Sequence, residues 1–223
     1  MIVLVVGTGT DVGKTHVTCA LLRAAVDGGV AARAWKPVAS GAHDAYGEDA
    51  VAHGVAARTA PVRPLHAFAP AVSPHLAARG VGVHVHVESI VDHARAMATT
   101  CELLFIETAG GLFSPINDAH ANDQLARALA PQRVLLVAPD RIGVIHDLAA
   151  TLIAGAARRV EPSVTVLSSP RDRDASTGTN AAELSVCIGC QVSAVFPRAS
   201  FDADASRAPA LATLHALSVS LPR

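Results

Sequence analysis

The chain has 223 residues, of which 51% are hydrophobic and 17% charged, with a formal net charge of −1. This length and composition suit one α/β domain with a buried core, so residues 1–223 are expected to form a single domain. The near-zero charge and an aromatic content of 3% argue against the basic, ring-lined surface that nucleic-acid binding needs. No apolar run reaches the roughly 18 residues of a membrane span, and the N-terminus lacks the basic region of a signal peptide. We therefore expect a cytoplasmic protein without a membrane partner.

Apolar, β-branched segments alternate along the chain with segments of helical periodicity. This order predicts an α/β fold with a parallel, doubly wound sheet of about six to seven strands and helices on both faces. Strands are predicted at residues 2–6, 30–35, 102–107, 133–138, 163–168 and 192–196. Helices are predicted at residues 14–27, 47–57, 88–98, 120–130, 145–159 and 180–187. Residues 59–87 have weak periodicity and are predicted to be an irregular excursion. Because ligands bind beyond the carboxyl ends of parallel strands, candidate site residues should follow the strands.

A glycine-rich loop joins the first predicted strand to the first predicted helix. Residues 7–15 read Gly-Thr-Gly-Thr-Asp-Val-Gly-Lys-Thr, in the strand–loop–helix context of a phosphate-binding P-loop. The spacing departs from the common form, because Thr8 stands five positions before Gly13, where a glycine is usual. Lys14 is expected to reach the β- and γ-phosphates and Thr15 to hold Mg²⁺. A glycine-rich turn without a ligand is the alternative, and the Gly-Lys-Thr sequence disfavours it.

A lysine held by a proline follows the second predicted strand. Lys36 precedes Pro37, so its ammonium can point at the same phosphates as Lys14 and share the charge that develops during phosphoryl transfer. A solvated lysine before a turn is the alternative. Asp49 lies at an apparent helix start, where a carboxylate either complements the helix dipole or holds Mg²⁺. The spacing alone does not decide between these two roles.

An acidic residue, Glu107, ends the apolar run of the third predicted strand. In P-loop enzymes this position holds the second Mg²⁺ ligand. A buried carboxylate without a partner is costly, so a bound cation would account for it. Gly110 and Gly111 follow, and they would let the backbone come close to a ligand.

Two other patterns could bind metal but have simpler interpretations. Cys187 and Cys190 have the two-residue spacing of a redox or zinc half-site, yet no second pair completes it. We interpret them as structural thiols. His84 and His86 could pair as ligands on one strand face, but a solvated face of a short strand or loop is preferred.

Four sequence blocks, in this order, resemble the dethiobiotin synthetase family, which has a P-loop NTPase-like fold. They are the loop at 7–15, the Lys-Pro-Val-Ala-Ser-Gly block at 36–41, the Ser-Pro-His turn at 73–75, and residues 107–115. The resemblance implies an ATP-dependent cyclo-ligase of biotin biosynthesis that acts as a homodimer. Its substrates would be 7,8-diaminononanoate, CO₂ and ATP, its metal Mg²⁺, and its products dethiobiotin, ADP and phosphate.

The resemblance also implies roles for individual residues. Lys36 would be catalytic together with Lys14 and Thr10, and Ser40 would contact the diamine. Mg²⁺ would be held by Thr15, Asp49 and Glu107. The nucleotide would contact Asp11, Val12, Gly13, Lys14, Thr15, His16, Asp49, Glu107, Thr108, Ala109, Gly110, Ser168, Ser169, Pro197, Arg198 and Ala199.

Three places depart from the family pattern. Thr108 stands where glycine is usual, and residues 142–147 replace a segment that commonly carries an Asn-His pair. Ser168 and Ser169 occupy the place of an Asn-Asp pair whose asparagine reads the adenine amino edge. A serine hydroxyl offers only one short-reach hydrogen bond of adaptable direction, so other nucleoside triphosphates are expected to be accepted besides ATP.

Two other functions would suit the same fold. A partition- or targeting-type ATPase switch typically carries a second lysine five positions before the P-loop lysine, where this chain has Gly9. A cobyrinate-type amidating synthetase would need a glutamine-hydrolysing domain, for which 223 residues leave no room. Both are kept as alternatives to dethiobiotin synthesis.

Overall fold

The computed structural model describes residues 1–222, in which strands and helices alternate from the N-terminus onward. The strands are β1 (Ile2–Gly7), β2 (Ala32–Trp35), β3 (Val38–Ser40), β4 (His66–Phe68), β5 (Leu103–Gly111), β6 (Arg133–Pro139), β7 (Val164–Ser168) and β8 (Val192–Phe196). The helices are α1 (Lys14–Asp27), α2 (Gly47–Ala57), α3 (Pro74–Gly80), α4 (Val87–Ala98), α5 (Asn122–Leu129), α6 (Val144–Ala157), α7 (Asn180–Ile188) and α8 (Asp204–Ala216). Within these residues, no helix is both long enough and apolar enough to cross a membrane.

The central sheet has six parallel strands in the order β2-β5-β1-β6-β7-β8. A separate pair, β3 and β4, is also parallel. β1 lies between β5 and β6, so the loop at its carboxyl end has a strand end on either side. The predicted parallel, doubly wound α/β sheet is confirmed.

Alternate residues of the buried strands feed two apolar cores, one on each face of the sheet. Leu4 of β1 packs in one core with residues of α4, α5, α6 and α7. Val5 packs in the other core with residues of α1, α2 and α8. This period of two is what a fully buried parallel strand requires, because its successive side chains point to opposite faces.

The predicted strands and helices are confirmed to within a few residues, with one consequential difference. β5 does not end at residue 107 but continues to Gly111, which pairs with Gly7 after an irregularity in the ladder. A side chain on Gly111 would come within 3.1 Å of the Gly7 carbonyl and the Gly9 nitrogen. The missing side chain therefore lets β5 lie close to the glycine-rich loop itself.

Four elements were not predicted: β3, β4, α3 and α8. Residues 59–87 are irregular over most of their length, but they contain β4 and α3, which the prediction of an irregular excursion lacked. α3 begins at Pro74, a residue that suits the first turn of a helix because it needs no N–H partner there. α8 contains Pro209, which interrupts the helical signal in the sequence.

Candidate active site

The glycine-rich loop enters α1 through a left-handed residue. Gly13 caps the helix with a φ of 94°, and a Cβ built on it would lie 2.2 Å from the Ser168 Oγ. Only glycine fits this position without strain or collision. The first backbone N–H groups of α1 lack partners within the helix, so its N-terminus favours an anion.

Lys14 is buried at the start of α1, with 6% of its surface exposed. Its ammonium donates a hydrogen bond to the Gly9 carbonyl at 2.9 Å. Burial lowers the pKa of Lys14 to about 8, although the charge of Glu107 works in the opposite direction. The loop therefore holds a poorly solvated cation, which a bound anion would stabilise.

Side chains from α1, α2 and β5 converge beside this lysine. The Thr15 hydroxyl lies 2.6 Å from Asp49 Oδ1 and 2.8 Å from Glu107 Oε1. Lys36 follows β2 and donates to Asp49 Oδ2, and its Nζ lies 3.4 Å from Glu107 Oε1. The structure thus brings together the residues predicted to hold metal and Lys36, which was predicted to be catalytic.

The charges of this cluster stabilise one another. Burial alone would raise the pKa of Glu107, but the hydrogen bond from His53 and the charge of Lys36 hold it at about 2. Burial alone would lower the pKa of Lys36, but Glu107 and Asp49 outweigh burial and raise it. Lys14, which contacts a carbonyl instead of a carboxylate, has no comparable compensation.

His53 was not predicted to belong to the site. Its Nε2 lies 3.1 Å from Glu107 Oε2, and both side chains are buried. His53 follows Asp49 by four residues on α2, which places the two side chains on the same helix face. That spacing is the signal by which the sequence could have revealed it.

A cavity of about 1320 Å³ opens over these side chains. It extends from the glycine-rich loop to the residues after β7 and β8, and on the other side to Ser40 and the start of α3. The predicted site residues that line it are Thr10, Asp11, Val12, Gly13, Lys14, Thr15, His16, Lys36, Ser40, Asp49, Glu107, Ala109, Gly110, Ser168, Ser169, Arg198 and Ala199. Arg141 also lines the cavity and was not predicted.

Comparisons with known proteins agree with this arrangement. A family model described as an AAA domain, AAA_26, matches residues 2–200. The ATP-dependent dethiobiotin synthetase BioD of Caulobacter sp. (strain K31) is 39% identical over 176 residues, which are 75% of this chain and 76% of the relative. The BioD of Anaeromyxobacter dehalogenans (strain 2CP-C) is 38% identical over 187 residues, covering 81% and 82%. The chain belongs to the dethiobiotin synthetase family.

Solved structures with the same fold include proteins of other kinds. A ParA family ATPase from Chlorobium tepidum TLS has a TM-score of 0.59 at 13% identity and covers 98% of this chain and 92% of its own. The MinD cell division protein of Aquifex aeolicus has a TM-score of 0.59 at 12% identity, with coverage of 99% and 98%. At such low identity the likeness shows the P-loop NTPase-like fold alone. Membership of the dethiobiotin synthetase family disfavours both alternative functions.

Two predicted nucleotide contacts, Thr108 and Pro197, have a polar group engaged elsewhere in the protein. The Thr108 hydroxyl donates to the Val5 carbonyl at 3.1 Å, inside the sheet, so only its backbone is available to a ligand. The Pro197 carbonyl lies 3.0 Å from the His16 Nε2, and burial lowers the pKa of that histidine. Their contact with the nucleotide stays a prediction of the resemblance to dethiobiotin synthetases.

The cysteine pair, interpreted as structural thiols, and the His84–His86 pair, interpreted as a solvated face, do not line this cavity. Cys187 is exposed and Cys190 buried, and both are free thiols. His84 and His86 are exposed in the segment before α4, with ring centroids 4.6 Å apart. Residues 1–222 contain no group of three or more His, Cys, Asp or Glu side chains placed to hold a metal. A cation in the dethiobiotin synthetase site would therefore need hydroxyl and phosphate oxygens in addition to the two carboxylates.

Proposed function

We propose that this protein converts 7,8-diaminononanoate, CO₂ and ATP into dethiobiotin, ADP and phosphate, as a cytoplasmic homodimer that uses Mg²⁺. The observation that carries the proposal is the convergence of Lys36, Asp49, Glu107 and Thr15 beside the P-loop lysine, in a chain of this family. The lining of the cavity includes that cluster, the residues after β7 and β8 proposed for the nucleotide, and a second region around Ser40.

The glycine-rich loop is assigned to the triphosphate. Residues 10–16 line the cavity, and the N-terminus of α1 points its free N–H groups into the same space. The desolvated ammonium of Lys14 would gain a strong partner in a phosphate oxygen, because charges interact more strongly where water is excluded. The base and ribose are assigned to the residues after β7 and β8, at the far end of the cavity.

The oxygen donors around Thr15 fit a magnesium ion. The hydroxyl lies 2.6 and 2.8 Å from the two carboxylate oxygens, so these three oxygens would be the protein ligands of one cation, and oxygen is the ligand that Mg²⁺ prefers. One hydroxyl proton cannot satisfy two carboxylates at once, so a cation suits Thr15, Asp49 and Glu107 together. When bound, Mg²⁺ would neutralise charge on the β- and γ-phosphates.

Lys36 is assigned to the transferred phosphoryl group. In the scheme implied by the family, one substrate amine loses a proton and adds to CO₂, giving a carbamate. A carbamate oxygen attacks the γ-phosphorus and ADP leaves. The second amine then attacks the carbonyl carbon and loses a proton to solvent, phosphate leaves and the ring closes. A fixed ammonium beside the phosphates stabilises the charge that develops in the second and third steps.

The diamine is assigned to the side of the cavity formed by Ser40 and the start of α3. Ser40 ends β3, and Ser73 and Pro74 lie nearby on the cavity wall. Exposed apolar side chains at Ile142, just before α6, and at Ile153, on α6, are assigned to contact with a second subunit. Holding diamine, CO₂ and phosphate together removes the entropic cost of three separate encounters.

Product formation tests the proposal directly. The purified protein is incubated with diaminononanoate, bicarbonate, Mg²⁺ and ATP, and dethiobiotin is sought by mass spectrometry. Omission of the diamine and a Lys36→Met variant serve as controls, since both should leave the nucleotide intact. ATP hydrolysis that proceeds equally without diamine, and yields no dethiobiotin, would refute the assignment.

A further inference from the structure

Glu107 divides its two carboxylate oxygens between different partners. Oε1 lies 2.8 Å from the Thr15 hydroxyl and 3.4 Å from the Lys36 ammonium. Oε2 instead contacts His53, whose Nε2 is 3.1 Å away. The rotation of this carboxylate about its last side-chain bond is therefore set from both sides.

His53 is the donor that Oε2 needs. Glu107 is 0% and His53 2% exposed, so bulk water reaches neither side chain. Within residues 1–222, the His53 Nδ1 is buried without a hydrogen-bond partner. A proton on Nε2 satisfies the carboxylate, whereas a ring with its proton on Nδ1 alone would bury an unpaired N–H and leave Glu107 Oε2 without a donor.

Helix α2 contributes both Asp49 and His53, the two side chains that lie on either side of Glu107. Asp49 and His53 lie one turn apart on α2, with Asp49 beside Thr15 and His53 behind Glu107. His53 is absent from the cavity wall, so it would touch neither nucleotide nor diamine. Its influence on chemistry must pass through Glu107.

We propose that His53 is a positioning residue, which donates its Nε2–H to Glu107 Oε2 and thereby keeps Oε1 turned toward Thr15 to ligate Mg²⁺. This inference rests on the proposed function, because it takes Glu107 to be a metal ligand. Groups that orient a metal ligand through its free atom typically change metal affinity by about 10–100-fold when removed. Loss of the His53 donor should therefore weaken metal binding rather than substrate binding.

Three variants separate the hydrogen bond that His53 donates to Glu107 from the packing of the His53 ring. His53→Gln keeps an N–H donor near the same place, and His53→Leu keeps much of the bulk without a donor. Thr213→Val removes a buried hydrogen bond in α8, where the Thr213 hydroxyl donates to the Pro209 carbonyl at 2.8 Å, and is the control for general destabilisation. If the leucine variant does not fold, His53→Asn replaces it, since its shorter amide falls short of Oε2.

The readout is the apparent Kd for Mn²⁺ at saturating ADP, followed by electron paramagnetic resonance, with kcat and KM measured beside it. We expect His53→Leu to raise that Kd by about 10–100-fold and to lower kcat, with the KM for diaminononanoate unchanged. His53→Gln should recover most of the affinity, and Thr213→Val should bind Mn²⁺ as the parent does.

Failure of the His53 inference and failure of the proposed metal site give different results. If Glu107→Gln weakens Mn²⁺ binding but His53→Leu does not, the proposed metal site stands and the His53 inference is overturned. If Glu107→Gln binds Mn²⁺ like the parent, the metal assignment fails and the positioning role fails with it. A glutamine variant as impaired as the leucine variant would assign the effect to ring packing and overturn donation.

Discussion

Replacing Lys14 by methionine is expected to stabilise the ligand-free protein while removing its affinity for nucleotide. The pKa of Lys14 falls from its ordinary 10.5 to about 8, chiefly because burial desolvates the ammonium. At about 1.4 kcal/mol per pKa unit, keeping that charge in the folded protein costs about 3 kcal/mol. Losing the hydrogen bond to the Gly9 carbonyl offsets about 1 kcal/mol. The net gain of about 2 kcal/mol corresponds to a rise in Tm of about 4–8 °C for a chain of this size.

The stability difference between the methionine variant and the parent should depend on pH in a direction set by the lowered pKa of Lys14. Below pH 8 Lys14 is protonated in both the folded and the unfolded protein, so the full cost is present. Between pH 8 and 10.5 the folded protein releases the proton first, and the cost fades as the pH rises. The advantage of the methionine variant should therefore be greatest near pH 7 and shrink toward pH 10.

The composition of the chain offers a direct check of the same value. Lys14 and Lys36 are its only lysines. Protein made with lysine labelled with ¹³C at Cε gives two resonances, one expected to titrate near pH 8 and the other above its ordinary range, because carboxylates raise the pKa of Lys36. Thermal denaturation of parent and Lys14→Met, with and without MgADP, completes the experiment. A variant no more stable than the parent at pH 7, or two lysines that titrate together, would refute the reasoning.

Three further predictions concern Glu107, Gly13 and Ser168. Glu107→Gln should lower the free energy of unfolding at pH 7, because the depressed pKa of Glu107 makes its charge stabilising above pH 4.5 and progressively less so toward pH 2. If urea denaturation shows that the variant loses the same free energy of unfolding relative to the parent at pH 7 and at pH 3, this explanation is contradicted. Gly13→Ala should cost about 2–4 kcal/mol, from a φ of 94° and a Cβ 2.2 Å from the Ser168 hydroxyl. Ser168→Gly in the same chain should recover part of that loss in a double-mutant cycle, and strictly additive effects would count against the contact. Finally, CTP and GTP should support dethiobiotin formation within about tenfold of ATP, since one adaptable hydrogen bond discriminates by about 1.4 kcal/mol. A preference for ATP of about a hundredfold or more in kcat/KM would show that another group reads the base.

The P-loop, Lys36, Asp49 and Glu107 could be found in the sequence because each follows a strand or opens a helix. The parallel sheet orders these positions along one edge, so local patterns predicted that the P-loop, Lys36 and Glu107 meet. Asp49 was added to them only by the resemblance to the dethiobiotin synthetase family. His53 was missed because its partner Glu107 is 54 residues away on another element, and a histidine inside an apolar helix is typical of packing.

The short elements were missed for a different reason. β3 and β4 have three residues each and depend on pairing with one another, which no local periodicity reveals. Thr108 was expected to approach the ligand, but its hydroxyl is taken up by the Val5 carbonyl in the neighbouring strand. Such contacts are set by strand register, which single-sequence patterns do not fix.

The cluster of Lys14, Lys36, Asp49 and Glu107 carries two positive and two negative charges, which cancel in the absence of ligands. A lone Mg²⁺ ion would enter against two ammonium groups, and a lone nucleotide against two carboxylates. Each ligand neutralises what repels the other, so their binding is thermodynamically coupled, and by linkage each raises the affinity of its companion by the same factor. The cluster should therefore bind the metal–nucleotide complex much more tightly than it binds either the metal ion or the nucleotide alone. Calorimetric titrations of ADP with and without Mg²⁺ would measure that factor. An affinity for ADP that is the same with and without Mg²⁺ would show that the two ligands are not coupled.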